Sequence, residues 1–238
     1  MTGRFTRLPG GLAAGATNGH GDAGCRIYMV RHGQTIWNVE KRFRGTIEVP
    51  LNDKGRQDAQ KAAQGLADAG LTAVYTSPLS RAREVAHAIA AAAGLHRHDD
   101  HPGLLNLDYG DWHGLTKEEC AERDPESWRR YCVDPENAAC PGGETLASAA
   151  DRVTRALFEI AHRHPGQSVA AVSHGVMVRL AALRAGHTSG AGWEIPLDTG
   201  SATTFHVRNG ALSVVTQGHP ASAAALVADW PTVAARNL

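Results

Sequence analysis

Two short motifs place histidine where it can do phosphorus chemistry. Arg31-His32-Gly33 follows the run CRIYMV (25–30), and Ser173-His174-Gly175 follows SVAAV (168–172). Short, largely apolar runs that stop at a glycine-containing turn read as buried strands, so each histidine stands at the carboxyl end of a strand. In open α/β sheets ligands sit just outside those ends, and both histidines are expected to face one crevice. Gly33 and Gly175 would let another group approach the backbone closely. Arg31, and Arg81 in TSPLSRA at the start of a helix, add planar donors suited to a tetrahedral dianion. A neutral imidazole can attack phosphorus and carry the phosphoryl group while cationic neighbours stabilise its equatorial oxygens. The same arginines favour the neutral imidazole, and helices that begin after such turns offer N–H groups and a positive dipole end to the anion.

The remaining pattern supplies the elements that would hold these residues. Gly55–Ala69 reads as an amphipathic helix with Ala59, Ala62, Ala63, Leu66 and Ala69 on one face, and Thr72–Thr76 as a second buried strand. Ser80–Ala93 is an alanine-rich helix with a serine cap before it and Gly94 behind it. Thr145–His164 is a helix with Leu146, Ala149, Val153, Ala156, Leu157 and Ile160 on one face, and another follows over about Val176–Ala185. ATTFHV and ALSVVT flank Asn209-Gly210 and read as a hairpin. Strands alternating with helices predict an α/β fold, a three-layer α/β/α sandwich around a mainly parallel sheet. No internal repeat or linker interrupts it. Residues of about 102–141, richer in Pro, Trp and charge, read as an inserted helical excursion that forms a small roof over the site. Residues 1–24 read as a flexible tail and 25–238 as one domain.

Composition narrows the class. Lys plus Arg and Asp plus Glu are 24 each, and hydrophobic residues make up 42% of the 238. A balanced charge argues against a nucleic-acid partner, while a pocket still needs only a few arginines. Cys25, Cys120, Cys132 and Cys140 form no CxxC pair, so zinc has no spacing support, and they read as reduced thiols of a cytoplasmic protein. The stretch GLAAGA near the N-terminus is too short and glycine-rich for a signal core. No run of about 18 apolar residues predicts a membrane span.

Six blocks recur in order: VRHGQTIWN (30–38), RFRGTIEVPLNDKG (42–55), TSPLSRA (76–82), YGDWHGLT (109–116), PGGET (141–145) and VSHG (172–175). Together they resemble the histidine phosphatase superfamily, the phosphoglycerate mutase-like fold, over roughly residues 25–215. The resemblance implies that His32 is the nucleophile that becomes phosphohistidine. It implies that Arg31, Arg81 and His174 complete the phosphate pocket, that Asn38 also touches phosphate, and that no metal or other cofactor is needed.

The pattern breaks at the proton donor. The family places a glutamate, or in some branches an aspartate, four residues before the glycine of YG; here LLNLDYGDW puts Asn106 there. An amide cannot serve as a general acid. Asp108 is the favoured substitute, because residues two apart in an extended segment share a side. Otherwise the substrate has a good leaving group, such as an acyl phosphate or anhydride, or the protein binds phosphorylated ligands with little turnover. Arg44, where many members carry glutamine, adds charge near the distal part of the substrate and hints at a second anionic group; a solvated surface arginine is the competing reading.

Other clusters read more plainly. HRHDDH (96–101) is a polar loop rather than a metal site, and Trp112 and Trp128 pack the roof rather than stack on a substrate. Glu144 suits the positive end of the helix that follows it. Arg129 and Arg130 are roof residues that could select an anionic substrate. The expectation is a metal-independent phosphatase for a small phosphorylated metabolite, with His32, Arg31, Arg81, His174 and Asp108 catalytic and Asn38, Arg44, Asn106 and Gly175 against the substrate. The alternatives are a phosphoglycerate-type mutase or bisphosphatase and a phosphate-binding module of weak activity. A homodimer is left open.

Overall fold

The computed structural model describes residues 23–96, 98–134, 137–186 and 197–220. The expected tail at 1–24 therefore lies almost wholly outside the described residues. Strands β1 (Cys25–Arg31), β2 (Leu71–Thr76), β3 (Asp99–Asp100), β4 (Ser168–Ser173), β5 (Ser201–Arg208) and β6 (Ala211–Pro220) form one sheet in the order β3-β2-β4-β1-β5-β6. β1 pairs with β4, and β2 with β3 and β4, in parallel; β5 runs antiparallel to β1 and β6. The fold is a three-layer α/β/α sandwich, and its antiparallel edge is the hairpin read around Asn209-Gly210.

The pleat of β1 shows why the sheet needs two helical layers. Ile27 and Met29 join one core with Leu146, Val153 and Leu157 of helix α6 (Leu146–Arg163) and with Met177 and Leu180 of helix α7 (Gly175–Arg184). Tyr28 and Val30 point the other way, onto Ala59 and Leu66 of helix α2 (Asp53–Leu66) and Val85 and Ile89 of helix α3 (Ser80–Ala92). Each fully buried Leu, Ile or Val contributes roughly 1.5–3 kcal/mol of transfer free energy, so both faces are strongly specified.

Helix ends depart from the sequence reading where side chains cap them. α2 starts at Asp53 because the Asn52 side chain accepts the N–H of Gly55 at 2.9 Å. α6 starts close to the expected position, with Thr145 as its N-cap residue, whose Oγ1 accepts the N–H of Ser148 at 3.1 Å. α3 has no serine cap: Leu79 is its N-cap residue, and the Glu48 carboxylate, from a loop 32 residues earlier, accepts the N–H of Ser80 at 3.1 Å. Glu144 is not simply a dipole partner either. Its Oε1 accepts from Arg152 Nη2 at 2.5 Å and from the N–H of Asp108 at 3.1 Å.

Between β3 and α6 the chain leaves the sandwich. Helices α4 (Lys117–Arg123) and α5 (Pro125–Val133) pack on Trp112, which is 1% exposed, together with Cys120 and Cys140. Trp128 and Tyr131 lie 5.5 and 5.3 Å from the Trp112 ring, so both tryptophans serve packing. The four cysteines are free thiols. In HRHDDH, Asp99 and Asp100 make the edge strand, Asp100 pairs with Arg83, and His101 approaches Glu159 at 3.3 Å. Among the described residues no cluster of His, Cys, Asp and Glu could hold a metal ion, and no helix is long and apolar enough to cross a membrane.

Candidate active site

The parallel pairing of β1 with β4 sets Arg31 opposite Ser173. The next residue on each strand is a histidine, so His32 and His174 emerge side by side from adjacent strand ends. Their ring centroids are 5.1 Å apart at 61°, and each is 1% exposed. The N–H of His32 donates to the Ser173 carbonyl at 3.0 Å, which ties the two turns together. His32 Nδ1 lies 2.6 Å from the carbonyl oxygen of Gly33, and His174 Nε2 lies 2.8 Å from Ser77 Oγ. His174 Nδ1 is buried with no partner.

The two glycines do different work. A Cβ on Gly33 would stand 2.2 Å from the backbone oxygen of Gly55, so this turn and the first turn of α2 touch backbone to backbone. A Cβ on Gly175 would meet Nε and Cδ of Arg31 at 3.2 and 3.3 Å. Gly175 thus makes room for the Arg31 guanidinium, whose Nη1 donates to the Leu197 carbonyl. α7 begins at Gly175 with no side-chain cap, and Gly175 and Val176 line the cavity beside the histidines. The positive end of that helix therefore faces the cavity.

Charge concentrates on the same spot. Burial holds the imidazoles of His32 and His174 well below the usual histidine range, with the Arg81 charge next in weight for both and Arg44 adding to it. Arg31 is pulled down to about 10 by burial and by Arg44, and Arg81 to about 10 by the same causes. Both remain cations at neutral pH. The Nε donors of Arg31 and Arg44, both in the cavity wall, are buried without hydrogen-bond partners. Orphaned donors of this kind carry a high desolvation cost, and an anion is the ligand that would relieve it.

The expected residues do not all play the same part. Arg44 is no surface residue: Nη1 donates to the Trp37 carbonyl at 3.1 Å, and the side chain lines the cavity. Arg81 is fully buried and is not among the wall residues of the cavity, with Nη2 and Nη1 donating to the carbonyls of Gly45 and Ile47 at 2.7 and 2.8 Å. Asn38 lines the cavity, but its Oδ1 accepts the N–H and hydroxyl of Thr35 at 2.9 Å each. Asn106 lines it too, 5% exposed, with Nδ2 on the Gly45 carbonyl at 3.1 Å and Oδ1 unpartnered.

Asp108 is placed elsewhere. The alternation expected of an extended segment is lost because the chain turns: Asp108 Oδ1 accepts the N–H of Gly110 at 2.9 Å and stands 3.6 Å from His113 Nε2. Its side chain is 46% exposed and is not part of the cavity wall. Arg129 and Arg130 also lie apart. They line a larger cavity of about 570 Å³ that shares no wall residue with the histidine cavity of about 290 Å³.

Sequence reasoning missed several wall residues. Arg179 follows Gly175 by four positions, one helical turn, and so reaches the same cavity. That spacing was a usable signal. Lys41, Arg42, Lys117 and Tyr109 come from loops and helix starts where no periodicity speaks. Ser77 lay within the quoted TSPLSRA block but carried no mark of its contact with His174.

Known proteins resemble this chain in sequence and in fold. The model of the histidine phosphatase superfamily (branch 1) matches residues 27–219. Phosphoglycerate mutase-like protein 4 of Arabidopsis thaliana is 37% identical over 155 residues, 64% of this chain and 67% of that protein. Phosphoserine phosphatase 1 of Hydrogenobacter thermophilus is 36% identical over 154 residues, 65% of this chain and 72% of that protein. The solved structure of Bacillus stearothermophilus YhfR superposes with a TM-score of 0.74 at 32% identity, covering 82% of this chain and 97% of that one.

Proposed function

Because this chain belongs to the histidine phosphatase superfamily, we propose that it is a metal-independent phosphatase that passes the phosphoryl group of a small phosphorylated metabolite to Nε2 of His32 and then to water. The observation that carries this reading is the 2.6 Å contact between His32 Nδ1 and the Gly33 carbonyl. A carbonyl oxygen only accepts, so Nδ1 holds the ring proton and Nε2 holds the lone pair. Burial and the surrounding arginines keep the ring uncharged, which is the state that can attack phosphorus.

The neighbours then have distinct tasks. Arg31, Arg44 and the first amides of α7 bind the equatorial oxygens, and His174 offers Nδ1–H when Ser77 donates its hydroxyl proton to Nε2. Arg81 adds positive charge. In the first step the P–O bond to the leaving group breaks as the P–Nε2 bond forms. In the second, water attacks the phosphohistidine, Nε2 departs, and the water's protons remain with the released phosphate and solvent.

The test is hydrolysis of p-nitrophenyl phosphate, whose leaving group needs no acid. His32→Ala is expected to lower kcat by at least about 1,000-fold, and acid-labile phosphate is expected on the wild-type chain after rapid quenching. A His32→Ala protein that keeps most of its turnover overturns the assignment.

A further inference from the structure

The cavity wall holds Arg31, Arg42, Arg44, Arg179, Lys41 and Lys117 and, among the described residues, no aspartate or glutamate. It is therefore rich in charge to receive anions and, among the described residues, lacks a carboxyl group to serve as general acid. Asn106 presents an unpartnered amide oxygen, and amide chemistry has no proton to give. The Asp108 carboxylate is engaged with the N–H of Gly110 outside the wall. Among the described wall residues Tyr109 is the one that carries a hydroxyl. Burial raises its phenol above the ordinary value, away from the range in which general acids work well.

From this imbalance we infer that the substrate is a phosphoryl group carried on an oxyacid anion, a phosphoanhydride or acyl phosphate, rather than an alkyl phosphate. The inference rests on the phosphatase reading above. An alkoxide leaving group must be protonated as the P–O bond breaks, whereas a phosphate or carboxylate leaves as a stable anion. With a nucleoside diphosphate, His32 Nε2 bonds to the terminal phosphorus, the bridging oxygen keeps the electron pair, and the nucleoside monophosphate departs unprotonated. The charge sum is unchanged: a trianion and a neutral imidazole give a dianion and a phosphohistidine of net charge −1. Arg179 and the lysines stabilise the departing anion, a task a hydroxyl leaving group would not set them. A cavity of about 290 Å³ holds the phosphoryl group and a compact neighbour.

The experiment compares kcat/KM for inorganic pyrophosphate, ADP, acetyl phosphate and glycerol 3-phosphate in EDTA-containing buffer, with p-nitrophenyl phosphate as reference and spontaneous hydrolysis subtracted. At least one anhydride or the acyl phosphate is expected to exceed glycerol 3-phosphate by about 100-fold or more, the scale on which a general acid acts. The anhydride and acetyl arms tell the two sources apart. Asn106→Asp would set a carboxyl against the Gly45 carbonyl, which favours its protonated form. That variant is expected to raise kcat/KM for glycerol 3-phosphate relative to that for the preferred substrate by at least about 10-fold. Glycerol 3-phosphate turned over as fast as every anhydride and acyl phosphate overturns the inference while leaving the phosphatase reading intact. Loss of glycerol 3-phosphate turnover in Tyr109→Phe, with the aryl ester unaffected, also overturns it, by making the phenol the acid. No turnover of p-nitrophenyl phosphate overturns the phosphatase reading itself.

Discussion

Replacing His32 by asparagine should flatten the acid side of the stability curve. In the folded chain His32 is uncharged, held so first by burial and then by Arg81, Arg31 and Arg44, against the opposing pull of the Gly33 carbonyl. In the unfolded chain the same ring titrates near about 6.5. Below that value the unfolded state binds a proton that the folded state refuses, so stability falls as pH falls. Between pH 7.5 and pH 5.5 the loss is RT ln[(1 + 10)/(1 + 0.1)], about 1.4 kcal/mol for one such histidine. Urea unfolding at both pH values measures it. With a slope of about 1–3 kcal/mol/M, the wild-type midpoint should fall by about 0.5–1.4 M more than that of His32→Asn. The half-exposed histidines contribute equally to both proteins and cancel. His174, buried in the same field, should make the double variant His32→Asn/His174→Asn flatter by about 2.7 kcal/mol. Equal losses in wild type and variants would mean that these rings take up protons in the folded protein as readily as in the unfolded one, and the argument for a neutral nucleophile would fail.

Three other outcomes follow from particular contacts. Gly175→Ala should move Arg31 by a few tenths of an ångström and lower kcat/KM for p-nitrophenyl phosphate by about 10-fold, while Tm holds or rises because alanine favours the first turn of α7. Glu48→Ala removes the cap of α3 and should cost about 0.5–2 kcal/mol in denaturant unfolding. Asp108→Asn should slow alkyl and aryl phosphates to the same extent, since its carboxylate caps a turn outside the cavity; selective slowing of the alkyl ester in steady-state kinetics would return Asp108 to the role of acid.

The sandwich was legible because its signals are local. Apolar runs at 25–30 and 168–172 and the helical stripe of 146–160 require only nearest neighbours to read, and the strand-end rule then brings both histidines together. What the sequence could not show depends on where distant side chains spend their hydrogen bonds. Glu48 caps a helix 32 residues away, and the Gly45 carbonyl accepts from both Arg81 and Asn106. The side chain of Asp108 is placed differently for the opposite reason: alternation holds in a strand, and a two-residue turn to Gly110 redirects the carboxylate. Arg179 was within reach of helical spacing from Gly175, but Lys41 and Lys117 reach the cavity through loop geometry alone.

Arg152 donates to the carbonyls of Gly103, Leu105 and Asn106 and to the Glu144 carboxylate, and Glu144 in turn pairs backbone to backbone with Asp108. The chain that leaves the sandwich near residue 103 and the chain that returns near 144 are thus fastened to each other and to α6 at one point. The forty or so residues between form an ear whose base the Arg152 guanidinium holds together. Such an ear can lengthen, shorten or change its side chains without shifting the strand pairing that aligns His32 with His174. Selection could therefore rewrite what the cavity admits while leaving the phosphorus chemistry untouched.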